Sequence, residues 1–259
     1  MNPVNTVLSF FGVRLSRVNG NAALRDDKEK EFRKKFEQDL RYVEKNEQRG
    51  FKVYREYRYD IEKSGENHQK SQVNYECEFM ASHLYKVKPS KILDIGSFRH
   101  FILGLLAHYD ITSVDIRKRT TIFENETLIH CDAKSLNLPD NSFDAVVTMG
   151  TLPHIGLGRY RDDLDLDADI KAFNEMIRVL KPGGIILFST AVKGGQPVLA
   201  FNARRNYSYD MIKDLCKELE LVEEKFFDRR TLRWCTFEEL TTDPTFFDYY
   251  VGCWRKRNK

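Results

Sequence analysis

Two acidic residues mark two short apolar segments in the stretch 91–117, which reads KILDIGSFRHFILGLLAHYDITSVDIR. The pattern predicts a buried strand ending in a turn at Gly96, a helix over 98–108, and a second strand ending on Asp115. In doubly wound nucleotide-binding folds, an acid at that strand tip, about twenty residues after the first turn, hydrogen-bonds both ribose hydroxyls. Gly96 lets the backbone pass close to a ligand because it has no Cβ. The spacing therefore predicts a nucleoside site.

The turn at Gly96 differs from the turn that holds a dinucleotide. It has one glycine, whereas a pyrophosphate-binding turn has three. Phe98 and His100 would crowd a pyrophosphate, and Asp94 would repel phosphate but attract an ammonium group. One acid for an amino group and one for a ribose predict S-adenosylmethionine rather than NAD. On these residues alone, a purely structural βαβ unit is the alternative.

Further apolar segments predict the rest of the sheet. Segments 127–130 and 143–149 are the next strands, and Asp132 and Ala133 follow the first of them, where an adenine amino group would be bound. Within 180–190, the turn Pro182-Gly183-Gly184 is expected to end a helix and lead into a fifth strand.

The segment 207–218 predicts a helix, and the alternating segments 221–228 and 247–255 predict the last two strands. We therefore predict an α/β fold: a doubly wound, mostly parallel seven-stranded sheet with helices on both faces, an antiparallel last strand and a helical N-terminal extension.

Over residues 66–257 the chain resembles the Rossmann-like S-adenosylmethionine-dependent methyltransferases. The resemblance implies S-adenosylmethionine as cofactor. Together with the spacing argument, it assigns cofactor binding to eight residues: Asp94, Gly96, Ser97, Asp115, Ile116, Asp132, Ala133 and Met149.

A narrower resemblance covers the segments 154–184 and 200–208. They are similar to a bacterial family that carries only a domain-of-unknown-function label, with the pattern H-x-GLGRYGD and then F-N-A-H-R. Its members often occur in settings of cell-surface polysaccharide assembly, which implies a sugar acceptor. This chain has Arg161 where that family has glycine and Arg204 where it has histidine.

Candidate catalytic and acceptor residues lie just past the fourth strand. His154 is the candidate base, because its ordinary pKa of about 6.5 suits proton abstraction, and Asp162 is the alternative base. Arg159 and Tyr160 offer a hydrogen-bond fork and a flat ring to a sugar. Asn202 in the second motif completes the predicted acceptor site.

The acidic run 162–169 imitates a calcium loop, but Ala168 and Asn174 stand where glycine and glutamate are required. We therefore predict no resident metal and expect these acids to cap the next helix. A magnesium ion holding two sugar hydroxyls is the alternative.

Composition restricts the partners and the cellular location that we expect for the protein. The chain has 259 residues, 41% hydrophobic, with 42 basic and 39 acidic residues interspersed and a net charge of +3, which argues against nucleic acid. Its five cysteines form no C-x-x-C pair, which indicates neither disulfides nor a zinc site. Because no long apolar run or signal peptide is visible, we expect a cytoplasmic protein.

We predict two domains: a helical accessory segment over 1–65 and the methyltransferase domain over 66–259. Apolar residues within 1–18 fall at helical spacing and predict contact with the core or a second subunit, with peripheral membrane contact as the alternative. The charged stretch 23–48 predicts a helix. Another is expected over 66–86, with Gln69 and Tyr75 as candidate lid residues.

The predicted function is methyl transfer from S-adenosylmethionine to a small-molecule or glycan acceptor, specifically O-methylation of a sugar or polysaccharide precursor. The Asn/Asp-Pro-Pro-Tyr/Phe motif of many amine methylases is absent where MGTLPH stands at 149–154, which favours oxygen. Two alternatives stay open: a catalytically silent binding subunit of the same fold, and a methyltransferase acting on a carboxylate or amine. A nicotinamide-dependent enzyme is disfavoured by the missing glycines.

Overall fold

The computed structural model describes residues 21–46, 53, 55, 71–121, 123–160 and 162–258. They fall into two units, 1–69 and 70–259, each treated by itself. The interpretations of residues 1–18, Gln69 and Arg161 lie outside the described residues, and the boundary between residues 65 and 66 stays a prediction.

In the first unit, a single long helix occupies most of the described residues. Helix α1 spans Asn21–Asn46, close to the predicted range. Exposed pairs one turn apart, such as Lys35 with Asp39 at 2.6 Å, stabilise it only slightly because water screens them.

The second unit is built around one mixed sheet. Its strands are β1 Ile92–Ile95, β2 Ile111–Asp115, β3 Glu126–His130, β4 Phe143–Met149, β5 Leu180–Lys193, β6 Val198–Ala200, β7 Arg204–Ser208, β8 Leu219–Asp228, β9 Arg233–Cys235 and β10 Asp248–Lys256. Their order is β3-β2-β1-β4-β5-β10-β8-β9, with β7 beside the end of β5 and β6 beside β7. Strands β1 to β5 are mutually parallel, and β10 runs antiparallel to both β5 and β8. The predicted seven strands and antiparallel last strand are confirmed, while β6, β7 and β9 extend the sheet.

Helices cover both faces of this sheet: α2 Gln72–Val87, α3 Arg99–Leu105, α4 Ala168–Val179 and α5 Tyr209–Leu215. Leu93, Val146 and Ile186 lie side by side in register and pack towards α4 and α5. Their strand neighbours Ile92 and Ala145 pack towards α2 and α3. Because consecutive strand residues point to opposite faces, a continuous apolar run supplies both cores.

Two helix boundaries differ from the prediction. Helix α3 ends at Leu105, and α5 begins at Tyr209 because Tyr207 is a buried member of β7. The Tyr207 hydroxyl donates to Asp169 at 2.6 Å, which holds it against α4. In the described part of the chain, no helix is both long and apolar enough to cross a membrane.

Glu76 in α2 is a carboxyl group inside the apolar layer. It is 5% exposed, and its Oε1 has no hydrogen-bond partner. Burial raises its pKa from 4.5 to about 7, against an opposing hydrogen bond from Ser189. The folded protein therefore favours the protonated form, and this contribution to stability is complete below about pH 4.5 and lost as the pH rises through about 7.

We expect Glu76→Gln to stabilise the protein at pH 8 by on the order of 2–3 kcal/mol, because the variant has no charge to bury. At pH 4.5 the two proteins should differ little. Urea unfolding at both pH values measures the difference, with Glu78→Gln as the control on the same helix. A constant difference across this range would contradict the burial argument.

Candidate active site

A cavity of about 280 Å³ opens at the carboxyl ends of β1, β2 and β4. In doubly wound folds ligands bind at this edge of the sheet. Ten predicted site residues line it: Gly96, Ser97, Asp115, Ile116, Asp132, Ala133, Met149, His154, Tyr160 and Asp162. Asp94, Arg159 and Asn202 are not among its lining residues.

The turn after β1 is held by contacts that only glycine permits. Gly96 has φ +61°, and a Cβ there would lie 2.9 Å from Cγ2 of Thr151. The Thr151 hydroxyl donates to the Gly96 carbonyl at 2.8 Å, and the Ser97 hydroxyl accepts from the backbone N–H of Met149 at 3.0 Å. The turn is therefore tied to the end of β4, which forms the facing wall of the cavity.

Asp94 is buried behind this turn and does not line the cavity. It is 1% exposed, and its Oδ1 accepts from the backbone N–H of Ser97 at 3.2 Å. Burial raises its pKa to about 6, with the hydrogen bonds from Ser97 opposing. In this geometry Asp94 orients the turn, and its predicted contact with an ammonium group stays a prediction.

Asp115 reaches the cavity but already has a cationic partner. Arg117 donates from Nε at 2.9 Å and from Nη2 at 2.8 Å to its two oxygens, and Arg119 lies 3.3 Å away. Burial alone would raise the pKa of Asp115, but hydrogen bonds and charge from Arg117 hold it below its ordinary value. The carboxylate is therefore ionised and can accept further hydrogen bonds from a ribose. Sequence reasoning missed Arg117, whose only signal was its position two residues after Asp115.

Asp132 and Ala133 follow β3 and lie in the cavity wall, and their contact with an adenine amino group stays a prediction. Asp132 Oδ1 accepts from the backbone N–H of Lys134 at 2.9 Å, which shapes this loop. Apolar residues of the wall that the sequence interpretation did not single out include Val114 and Ile155.

His154 ends a short 3₁₀ helix, Leu152–His154, that directly follows β4. Its Nδ1 lies within hydrogen-bond distance of the Ala203 carbonyl oxygen, which can only accept. Arg159 Nη1, which can only donate, also lies 3.2 Å from Nδ1; because the Ala203 contact is the shorter of the two, we assign the proton to Nδ1 and the lone pair to Nε2. Burial lowers the pKa of His154, and the charges of Arg159 and Arg204 lower it further against the Ala203 hydrogen bond. The ring is neutral at neutral pH.

Asp162 acts mainly as a brace for the loop after His154. Its Oδ2 accepts from the backbone N–H of Gly156 at 2.6 Å and its Oδ1 from that of Tyr160 at 3.0 Å. Because both oxygens already accept hydrogen bonds, Asp162 is a weaker candidate base than His154. It still lines the cavity.

The other acids of the run 162–169 do not cap helix α4 with their side chains. Asp167 occupies the N-cap position without a side-chain hydrogen bond, which corrects the expected capping role. Asp165 instead binds Lys171 at 2.9 Å. Within the described residues, no group of three or more His, Cys, Asp or Glu side chains is arranged to hold a metal ion.

Of the three predicted acceptor residues, Tyr160 alone lines the cavity. The Tyr160 ring lies in the cavity wall, with the guanidinium carbons of Arg117 and Arg159 at 5.3 and 5.5 Å from its centroid. Arg159 itself turns towards Ala203, whose carbonyl it binds at 3.1 Å. Asn202 is exposed and donates to the Leu157 carbonyl at 3.4 Å. Tyr160 therefore shares the Asp115 cavity, while Arg159 and Asn202 lie around it.

Residues 93–188 match the family described as "Methyltransferase domain". Over 83 residues the chain is 40% identical to a demethylmenaquinone methyltransferase of Staphylococcus epidermidis, an alignment that covers 32% of this chain and 29% of that protein. The chain thus spans less than a third of the curated relative that it matches.

Solved structures share the fold at low sequence identity. A 1,6-didemethyltoxoflavin-N1-methyltransferase of Burkholderia thailandensis with bound S-adenosylhomocysteine is 18% identical, with a TM-score of 0.56 over 73% of this chain and 80% of that one. The N-methyltransferase NodS of Bradyrhizobium japonicum with S-adenosylhomocysteine is 17% identical, with a TM-score of 0.52 over 72% and 88%. Residues 93–188 are therefore similar to a methyltransferase domain, and the solved structures show that the chain has their fold.

We expect Asp115→Ala to weaken S-adenosylhomocysteine binding by about tenfold or more, because a hydrogen bond to a charged group contributes about 1.5–3 kcal/mol. Isothermal titration calorimetry measures the loss, and exposed Asp110→Ala is the matched control. Unchanged affinity in Asp115→Ala, or tight binding of NAD to the wild type, would contradict the assignment of this cavity.

Proposed function

We propose that this protein transfers a methyl group from S-adenosylmethionine to the hydroxyl oxygen of a small molecule, with His154 as the general base. The observation that carries the proposal is the position of His154: a neutral imidazole in the wall of the same cavity that Asp115 and Asp132 enter.

The cavity residues suit a nucleoside with a sulfonium side chain. Asp115 offers an ionised carboxylate for ribose hydroxyls, and Val114, Ile116 and Ile155 offer apolar walls for a base. When bound, S-adenosylmethionine supplies an electrophilic methyl group whose bond electrons return to sulfur on transfer. In well-oriented systems, holding reactants in line contributes up to about 7–11 kcal/mol.

His154 takes up the proton that a hydroxyl acceptor loses. Its Nε2 carries the free lone pair because Nδ1 donates to Ala203, and this bond fixes the orientation of the ring. As the acceptor oxygen forms its bond to the methyl carbon, the hydroxyl proton passes to Nε2. The lowered pKa keeps the ring available as a base at neutral pH.

A sugar derivative is the acceptor class that we favour. This rests on the similarity of the segments 154–184 and 200–208 to the polysaccharide-associated family, and on the flat Tyr160 ring beside the cavity. A sugar presents both hydroxyls for transfer and an apolar face for such a ring.

A catalytically silent binding subunit is the second candidate. Arg117 already engages Asp115, the predicted ribose ligand, through two side-chain hydrogen bonds. Cofactor binding without formation of S-adenosylhomocysteine would favour this candidate.

We expect His154→Ala to reduce the methyl-transfer rate by about 10²–10⁴-fold at saturating S-adenosylmethionine. The wild-type rate should fall only below about pH 6.5. A protonated imidazole cannot act as a base, and the pKa of His154 lies below its ordinary value. Rates of S-adenosylhomocysteine formation between pH 4.5 and 8, against a panel of sugar acceptors, provide the measurement.

Exposed His108→Ala serves as the control and should keep the wild-type rate. A rate in His154→Ala within a few-fold of wild type would remove His154 from the mechanism. Loss of activity in Asp162→Asn with a normal His154→Ala would transfer the role to Asp162. Activity lost to a chelator and restored by Mg²⁺ would identify the metal alternative.

A further inference from the structure

Three arginines gather beside His154 on the side of the site formed by β7, β10 and the loop after β8. They are Arg159, Arg204 and Arg229, here called the arginine cluster. None of the three forms an ion pair with a carboxylate among the described residues. Other arginines of this unit do: Arg99 binds Glu126, and Arg178 binds Glu175.

Arg204 is the centre of the cluster. Its Nε donates to Asn206 Oδ1 at 3.0 Å, and its guanidinium carbon lies 3.7 Å from the centroid of the buried Phe247 ring. Neither of its Nη groups has a hydrogen-bond partner among the described residues. A half-buried guanidinium is therefore held in place with its two outer nitrogens free to donate.

Arg229 approaches the same aromatic ring. Its guanidinium carbon lies 4.0 Å from the Phe247 centroid and 5.7 Å from that of Tyr249. Its Nη1 makes a long bond of 3.5 Å to the Phe247 carbonyl. Phe247 thus contacts two guanidinium groups, and the charge of Arg229 lowers the pKa of Arg204, so the two like charges repel each other.

Arg159 connects the cluster to the candidate base. Its Nη1 lies 3.2 Å from His154 Nδ1 and donates to the carbonyl of Ala203, the residue before Arg204. The cluster therefore borders the cavity wall on which proton transfer would occur.

The nearby acids do not neutralise the cluster. Asp248 accepts with its two oxygens from the backbone N–H groups of Arg229 and Thr241, at 3.1 and 2.7 Å. Glu76, which faces Tyr249, has a pKa raised to about 7 by burial and is in part protonated at neutral pH. Burial lowers the pKa of Arg204, and the charges of Arg229 and Arg159 lower it further, while the electrostatic effect of Tyr249 raises it.

We propose that the methyl acceptor carries an anionic group, a carboxylate or phosphoryl group, that the arginine cluster binds beside His154. This rests on the proposed methyl-transfer function and narrows its substrate class to an acidic sugar derivative. Arginine suits both anions because its planar fork donates two parallel hydrogen bonds to a pair of oxygens. Binding would also relieve the repulsion within the cluster and leave the neutral hydroxyl of the acceptor near Nε2 of His154.

The test uses the full chain saturated with S-adenosylhomocysteine and titrated with inorganic phosphate or with acetate at constant ionic strength. Backbone amide chemical shifts in ¹H–¹⁵N spectra report binding near residues 203–205 and 229. We expect saturable binding of at least one anion, weakened about tenfold or more in Arg204→Gln and in Arg229→Gln. Arg204→Lys should retain more of the affinity than Arg204→Gln, because it keeps the charge.

Arg255→Gln is the matched control, because Arg255 is exposed at the opposite end of β10. The phosphate and acetate arms distinguish a phosphoryl from a carboxylate acceptor. Equal affinity in wild type and Arg204→Gln, or the same shifts produced by sodium chloride, would overturn the proposal.

A separate calorimetric titration with S-adenosylhomocysteine distinguishes the two hypotheses. Normal cofactor binding without anion binding would reject the acidic acceptor and leave methyl transfer standing. Anion binding lost in Arg204→Gln with no cofactor binding would reject methyl transfer and leave the anion site standing. Normal cofactor affinity in the arginine variants also shows that they are folded.

Discussion

The whole site depends on the hydrogen bonds that tie the end of β1 to the end of β4. The Thr148 hydroxyl donates to the Ile95 carbonyl at 3.0 Å, Thr151 to the Gly96 carbonyl at 2.8 Å, and Met149 N–H to the Ser97 hydroxyl at 3.0 Å. These buried bonds replace the backbone pairing that stops where the parallel strands separate, and leaving such groups unpaired would be costly. They fix the crevice between the two strand ends, and the buried Asp94 carboxylate orients the turn by accepting from the Ser97 N–H.

Arginines flank that crevice on two sides. The net charge of the chain is only +3, yet Arg117 engages Asp115 on one side and the arginine cluster borders His154 on the other. Arginine keeps its charge in partly buried positions and rests its flat face on aromatic rings, as Arg204 does on Phe247. Burial and the charges of Arg159 and Arg204 lower the pKa of His154, so electrostatics links the proposed acceptor recognition to the protonation state of the candidate base.

Much of the fold follows from local patterns. β4 was predicted at its observed limits, Phe143–Met149, because a buried parallel strand is a continuous apolar run between polar turns. The helix predicted over 98–108 was too long, since residues 106–108 form a turn after α3. Tyr207 was wrongly given to a helix, because its place in β7 depends on pairing with Val192, far away in the chain.

The sequence by itself determined the succession of strands along the chain, the sheet edge at which ligands are expected, and the candidates Asp115, Asp132 and His154, since strand polarity brings such residues to one edge. Only the tertiary structure decided what each side chain contacts. Asp94 turned out to serve the turn, Asp162 to brace a loop, and Arg204 to share an aromatic ring with Arg229. The physical reason is range: hydrophobic periodicity is local, whereas hydrogen bonds and charge interactions act over a few ångströms between residues that only folding brings together.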